Sequence, residues 1–417
     1  MQGFDLAAVL ITVAAMCGYV NHRVLRLPAT TGTLAVALLT SLVVLATGAA
    51  FPDIALRTIV ARLLDSIDFN QILMRGMLSF LLFAGALHLN LAGLLANKWT
   101  IGVLATVGVA ISTLVVGSLM WWCALAFHIQ VSALACFVFG ALISPTDPIA
   151  VMGLLKELHA PTDLEAQIAG ESLFNDGIGV VVFVALVSLA GLSSTPHAIE
   201  PTVGGIAMFF VREVGGGIAL GAGLGYVTYR TLMSIDDHAL ELLITLALVM
   251  STYAAALNLH LSGPIAVVVA GLWIGNPGRQ LAMSPRTREH VDAFWRVLDE
   301  ILNTVLFLLL GLEVFAIATG AQAMIAGTIS IVVVLVARLI SVALPVTMLS
   351  LGRVSRGLVP VLTWSGLRGT LSGDGALVAA IPWPRAADIV HLRRCRVLHP
   401  DSGDDGETCF GSLRRRR

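Results

Sequence analysis

Two short segments of the 417-residue sequence hold the side chains best suited to chemistry. The first runs Gly140-Ala-Leu-Ile-Ser144-Pro145-Thr146-Asp147-Pro148. Two prolines three apart in one apolar run each remove a backbone donor and crowd the preceding turn. A helix passing through is therefore expected to break around Thr146 and Asp147. The second runs Gly170-Glu171-Ser172-Leu-Phe-Asn175-Asp176-Gly177. On a helix, Ser172, Asn175 and Asp176 share one face, whereas Glu171 is turned roughly 140° from Asp176 at ~100° per residue. Hydroxyl, amide and carboxylate oxygens are the hard ligands that a small alkali cation requires. Glu171 needs a different partner, and Arg338, the one charged residue of the apolar run 324–350, is the natural choice. Such a buried pair holds a scaffold together and does not bind an ion. A simpler role for Asp147, capping the half-helix that follows the break, is compatible with ion binding.

One constraint turns these residues into a mechanism. A polar residue at mid-bilayer depth is costly and is a functional candidate by default. A lone carboxylate there must be neutralised by a proton or a metal cation before its site can cross the low-dielectric barrier. Either species suffices, and one of them is required. Obligatory exchange follows.

The elements that must position these groups are bilayer-spanning helices. The chain is 57% hydrophobic and only 12% charged, against about 25% charged in a soluble domain. That excludes a soluble enzyme, a disulfide-built secreted domain and a disordered chain. A net charge of −1 gives no sign of a nucleic-acid partner. The five cysteines show no metal-binding spacing and read as small core residues. Apolar runs predict twelve spans, near 4–20, 29–50, 72–95, 100–127, 131–155, 164–190, 204–232, 238–257, 262–278, 294–318, 324–350 and 356–380. Residues 51–71 read as an amphipathic surface connection, and 1–380 as one transmembrane domain. Asp176 falls ~18 Å into its span, near mid-membrane.

Loop charges orient the bundle. Connections on one side carry Arg23, Arg26, Lys98, Lys156, Arg230, Arg279, Arg286, Arg288, Arg296, Arg353 and Arg356, and those on the other carry little beyond Arg57 and Arg62. The positive-inside rule puts the first set in the cytoplasm and the N-terminus outside. Residues 381–417 are polar and Arg-rich, and twelve spans would leave them outside, against that rule. The expectation is that a final helix is missing through truncation or a frameshift.

Weaker candidates surround these. Glu213 beside Arg212, and Asp299-Glu300, read as interfacial charges. Glu241 and Glu313 suit helix-end contacts, and His88 suits a core histidine. Thr363-Trp-Ser-Gly-Leu-Arg368-Gly-Thr370 predicts a second broken helix, with Arg368 offsetting buried carboxylates.

Together, Ser144-Pro-Thr-Asp-Pro148, Gly170-Glu-Ser-Leu-Phe-Asn-Asp-Gly177, Ala337-Arg338 and Gly366-Leu-Arg-Gly369 strongly resemble the cation:proton antiporters of the NhaP and sodium/proton-exchanger type. The likeness runs from about residue 1 to 370. It implies an all-α polytopic fold of thirteen helices with inverted repeats, a homodimer in the cell's inner membrane, and exchange of Na⁺ (or Li⁺, K⁺) for H⁺ without a cofactor. By that resemblance Asp176 is the carboxylate that carries ion and proton, and Asn175 is its motif partner. Asp147, Thr146 and Ser172 complete the Na⁺ site, and Glu171, Arg338 and Arg368 form a stabilising network. The Asn-Asp pairing implies electroneutral exchange. Two departures stand out. Ala84 occupies a position where the family commonly has an acid, and Leu371-Ser-Gly-Asp374-Gly375 replaces an apolar continuation. The expectation is a chain impaired by loss of its last helix.

Three rival readings exist. Ser372-Gly-Asp374-Gly375 superficially resembles an element of intramembrane aspartyl proteases but lacks its Gly-x-Gly-Asp order and a Tyr-Asp partner. A non-transporting membrane scaffold would leave Asp176 dispensable. A K⁺/H⁺ exchanger is the nearest competitor, because oxygen ligands alone do not select cation size.

Overall fold

Apolar runs punctuated by glycine, proline and charge fold here as helices, and no strand occurs among the described residues. The computed structural model describes residues 3–27, 29–50, 77–127, 131–146, 162–189, 202–313, 321–350 and Thr363. The helices are α1 (Gly3–Val20), α2 (Ala29–Ala50), α3 (Leu78–His88), the short α4 (Leu91–Ala96) and α5 (Lys98–Ala126). After them come α6 (Ala133–Ile143), α7 (Thr162–Leu189), α8 (Gly204–Leu232) and α9 (His238–Asn258). The chain continues with α10 (Gly263–Trp273), α11 (Pro285–Glu313) and α12 (Ala321–Ser350). Six stretches, in α1 with its following turn, α5, α7, α8, α9 and α12, are long and apolar enough to cross a membrane. Helix occupies most of the described residues of each expected span from 4–20 to 324–350. The connection 51–71, Asp147, the span 356–380 with Arg368 and Asp374, and the tail 381–417 lie outside the described residues.

Two boundaries and one side-chain burial differ from the sequence expectation. The span 72–95 is not one helix. Leu89 is extended, and Asn90 starts α4 by accepting the Ala92 N–H at 2.9 Å. The interruption is closed from the π turn after α10 (Ile274–Gly278), where Asn276 accepts the Leu91 N–H at 2.8 Å and donates to Leu89 O at 3.0 Å. Next, α11 begins at Pro285 and not near 294. Proline suits the first helical position, and the Ser284 hydroxyl accepts the Thr287 N–H at 3.3 Å, so a polar amphipathic extension precedes the apolar run. Finally, His88 is exposed in the last turn of α3 and is not a core histidine.

Packing divides the helices into two groups joined by α7. In one, Phe83 of α3, Val249 and Tyr253 of α9, Ile274 after α10 and Trp295 of α11 share a core. The fully buried Trp295 ring lies 4.6 Å from that of Phe83, and its Nε1 donates to Thr245 Oγ1 at 3.1 Å. In the other, Val116 and Met120 of α5 meet Cys136, Phe139 and Ile143 of α6 and Val333, Val334 and Ala337 of α12. Helix α7 packs on α6 and on a π turn of α5 (Leu104–Gly108) from one group, and on α10 from the other.

Lipid tails are as apolar as leucine, so close backbone approach does much of the joining. The clearest case is α8 on α10. Gly217, Gly221 and Gly225 lie one turn apart, and a Cβ on Gly221 would collide with Ala266 O. Gly223, by contrast, faces open space. Gly221→Leu should therefore destabilise the protein by roughly 1–3 kcal/mol, read as a lower thermal midpoint in detergent. Gly223→Ala should leave that midpoint unchanged or raise it.

Candidate functional site

Helix α6 ends at Ile143, slightly ahead of the expected break; Ser144 caps it with right-handed helical dihedrals, and Pro145 and Thr146 follow outside the helix. Backbone freed in an apolar interior must find other partners, and ring atoms of Pro145 explain its placement. Pro145 packs directly over Gly179 of α7, where any side chain would strike the ring. A second close approach, of Gly140 to the Thr113 carbonyl at 2.6 Å from an added Cβ, seats α6 against α5.

Helix α7 supplies the missing partners. Ser172 Oγ donates to the Thr146 carbonyl in a short hydrogen bond. Asn175 works in both directions: its Oδ1 accepts the Thr146 N–H at 3.4 Å, and its Nδ2 donates to Thr146 Oγ1 at 2.8 Å. Ser172 and Asn175 are three residues apart on one face, so a single helix can hold both ends of one peptide segment. On the far side, Ser144 Oγ donates to Gly140 O at 2.6 Å and lies 3.1 Å from Thr113 Oγ1. Ser144, Thr146, Ser172 and Asn175 are all buried. Thr113 escaped the sequence reading, and Ser144 entered it only as a motif residue with no role. The only signal was a hydroxyl within each apolar run, which does not distinguish a tertiary contact from a local back-bond.

Two carboxylates of α7 have different surroundings. Glu171 is 2% exposed, and Arg338 of α12 donates to its Oε1 at 2.7 Å. Asp176, in the middle of the 28-residue helix, keeps partial exposure next to fully buried Asn175. The structure thus brings together Thr146, Ser172 and Asn175, with Asp176 the next residue of α7, and separately Glu171 and Arg338. Asp147 and Arg368 lie outside the described residues. Ala84 is 1% exposed in the core around α3 and carries no polar atom toward this region. Among the described residues, no group of three or more His, Cys, Asp and Glu side chains gathers as a resident metal centre. Glu241, fully buried in the first turn of α9, takes a 3.4 Å hydrogen bond from Thr287 of α11, a contact between helix ends.

Non-helical backbone held by side chains inside a bundle of apolar helices is an arrangement that polytopic membrane transporters use. Within that class the chain belongs to the sodium/hydrogen exchanger family: residues 11–385 match its transmembrane region. It is 43% identical over 394 residues to the Na⁺/H⁺ antiporter NhaP of Pseudomonas aeruginosa, covering 93% of this chain and 90% of that protein. It is 34% identical to the Na⁺/H⁺ antiporter NhaH of Halobacillus dabanensis, over 73% of each chain. The fold is shared with the sodium proton antiporter MjNhaP1 of Methanocaldococcus jannaschii, with a TM-score of 0.66 at 17% identity over 94% of this chain and 99% of the other.

Removing one member of a desolvated ion pair strands the other. Arg338→Ala should cost about 3–5 kcal/mol, measured by thermal unfolding in detergent. Replacing both partners with apolar residues of similar volume, as in Glu171→Met with Arg338→Met, should recover most of that loss. Strictly additive losses in this double-mutant cycle would contradict the pairing.

Proposed function

We propose that this chain exchanges Na⁺ for H⁺ across the membrane by alternating access, with Asp176 as the group on which the two ions alternate. The observation that carries this reading is the bracing of the unwound Thr146 segment by Ser172 and Asn175. Asp176, the residue after Asn175 on the same helix, stays partly exposed. The relatives are named as Na⁺/H⁺ antiporters, which favours sodium over the potassium alternative.

The residue roles follow from that reading. Asp176 binds either cation or proton, and Thr146 and Ser172 offer further oxygens, with Asp147 assigned beside them by its motif. Asn175 keeps the unwound segment in register and contributes no charge. Glu171 and Arg338 keep α7 fixed against α12, with Arg368 assigned to the same network by resemblance. By family resemblance, the Asn175-Asp176 pairing supports an electroneutral cycle. Family resemblance further supports a homodimer, and the arginine distribution supports an inner-membrane protein with its N-terminus outside.

In proteoliposomes carrying an imposed pH gradient, the wild-type chain should give Na⁺-dependent proton flux, with a smaller response to K⁺. Asp176→Asn should lower both the proton and the sodium flux to the level of empty vesicles. Persistence of either flux would overturn the assignment.

A further inference from the structure

A basic cavity lies away from the Asp176 site, between the end of α1, the start of α2 and the middle of α11. It has a volume of about 720 Å³ and is lined by Gly18, Asn21, His22, Arg23, Arg26, Thr33 and Thr304, among others. No acidic side chain lines it among the described residues, and neither arginine takes part in the ion pairs found there. Two permanently charged guanidiniums facing one cavity without a counter-ion repel each other, so the arrangement favours an anion.

The cavity wall is built. After Val20 the helix widens into a π turn, Asn21–Leu25, and Arg26 adopts a left-handed backbone conformation with φ 54°. A non-glycine residue in that region is strained, and such strain clusters at ligand clamps. Buried Asn21 holds the turn in this shape. Its Oδ1 accepts the Leu27 N–H at 3.2 Å, its Nδ2 donates to Leu27 O at 3.0 Å, and its carbonyl accepts the Arg26 N–H at 2.7 Å. Gly32 of α2 makes room for it, because any side chain there would collide with the Asn21 amide. The loop is thereby closed by hydrogen bonds before any ligand arrives, with Arg23 and Arg26 left exposed at the cavity. Thr33 and Thr304 also line the wall, their hydroxyls donating to Ala29 O and Glu300 O.

We propose that this cavity binds a phosphate-bearing anion through Arg23 and Arg26, with His22 alongside. Guanidinium forks match phosphate oxygens in geometry as well as charge. A basic pocket between transmembrane helices near the membrane surface is a recognised form for anionic phospholipid headgroups. A soluble phosphate offers the same chemistry, and the experiment separates the two sources.

The test uses the purified full chain in neutral detergent and follows its thermal midpoint against added phosphatidylglycerol, phosphatidylcholine or inorganic phosphate. Phosphatidylglycerol should give a saturable upward shift that phosphatidylcholine does not. At about a fivefold loss per cation removed, Arg23→Gln with Arg26→Gln should need roughly 30-fold more of it for the same shift. The single variant Arg23→Gln should need about fivefold more, and it serves if the double variant does not fold. Arg230→Gln, which removes an arginine elsewhere, should titrate as wild type. An equal, saturable shift by inorganic phosphate that the same substitutions weaken would identify the ligand as a soluble anion. Titration of the Arg23 and Arg26 variants as wild type, an equal loss in Arg230→Gln, or equal stabilisation by phosphatidylcholine would overturn the proposal.

Discussion

Peptide groups that leave a helix inside an apolar bundle must be hydrogen-bonded by something else, and the rest of this site depends on how that demand is met. Between Ile143 and Thr146 the partners come from α7 and α5. Ser172 holds the Thr146 carbonyl, Asn175 holds its N–H and hydroxyl, and Thr113 lies against Ser144. An unsatisfied polar group in hydrocarbon costs several kcal/mol, so these contacts determine whether the break can exist at all. Glycines at 140 and 179 then bring the unwound chain within reach of α5 and α7. The segment that follows α6 is thus a specified element, held from two sides.

The same helix shows how environment divides labour between like groups. Glu171 faces α12 and is locked to Arg338 in a buried pair. Five residues on, Asp176 points along a different face and keeps access. A carboxylate closed inside a buried ion pair is withheld from ion traffic, whereas a partly exposed one stays within reach of arriving ions. That contrast, together with membership of the sodium/hydrogen exchangers, underlies the proposed exchange of sodium for protons. Because α7 packs on α6 and α5 on one side and on α10 on the other, a shift between those groups would act directly on the site.

Much of this geometry is readable from residue spacing, and the unreadable part has a common cause. Pro145 and Pro148 announce the break because proline acts locally. Ser172 and Asn175 share a face because helical periodicity is local, and the same periodicity turns Glu171 toward another helix. Arg338 is conspicuous as the charge in an apolar run. Interactions set by tertiary approach left little trace. Nothing near Asn276 indicates that its amide closes the break between α3 and α4. Nothing near Thr113 points to Ser144, 31 residues on. The early start of α11 was hidden because hydropathy detects spans and misses polar amphipathic extensions. His88 was misjudged for a related reason: its neighbours are apolar, yet it ends the helix and faces outward.

The central claim is that sodium and proton compete for one carboxylate. It is tested most directly by counting protons released when sodium binds to the detached, non-transporting protein in detergent. Calorimetric titration with Na⁺ in two buffers of different ionisation enthalpy gives that number, because a ligand that must be deprotonated releases its proton as the metal enters. Below the pH at which the site loses its proton, the account predicts close to one proton released per sodium bound, with sodium affinity weakening as pH falls. Sodium binding of unchanged affinity across that range, with no proton released, would contradict it.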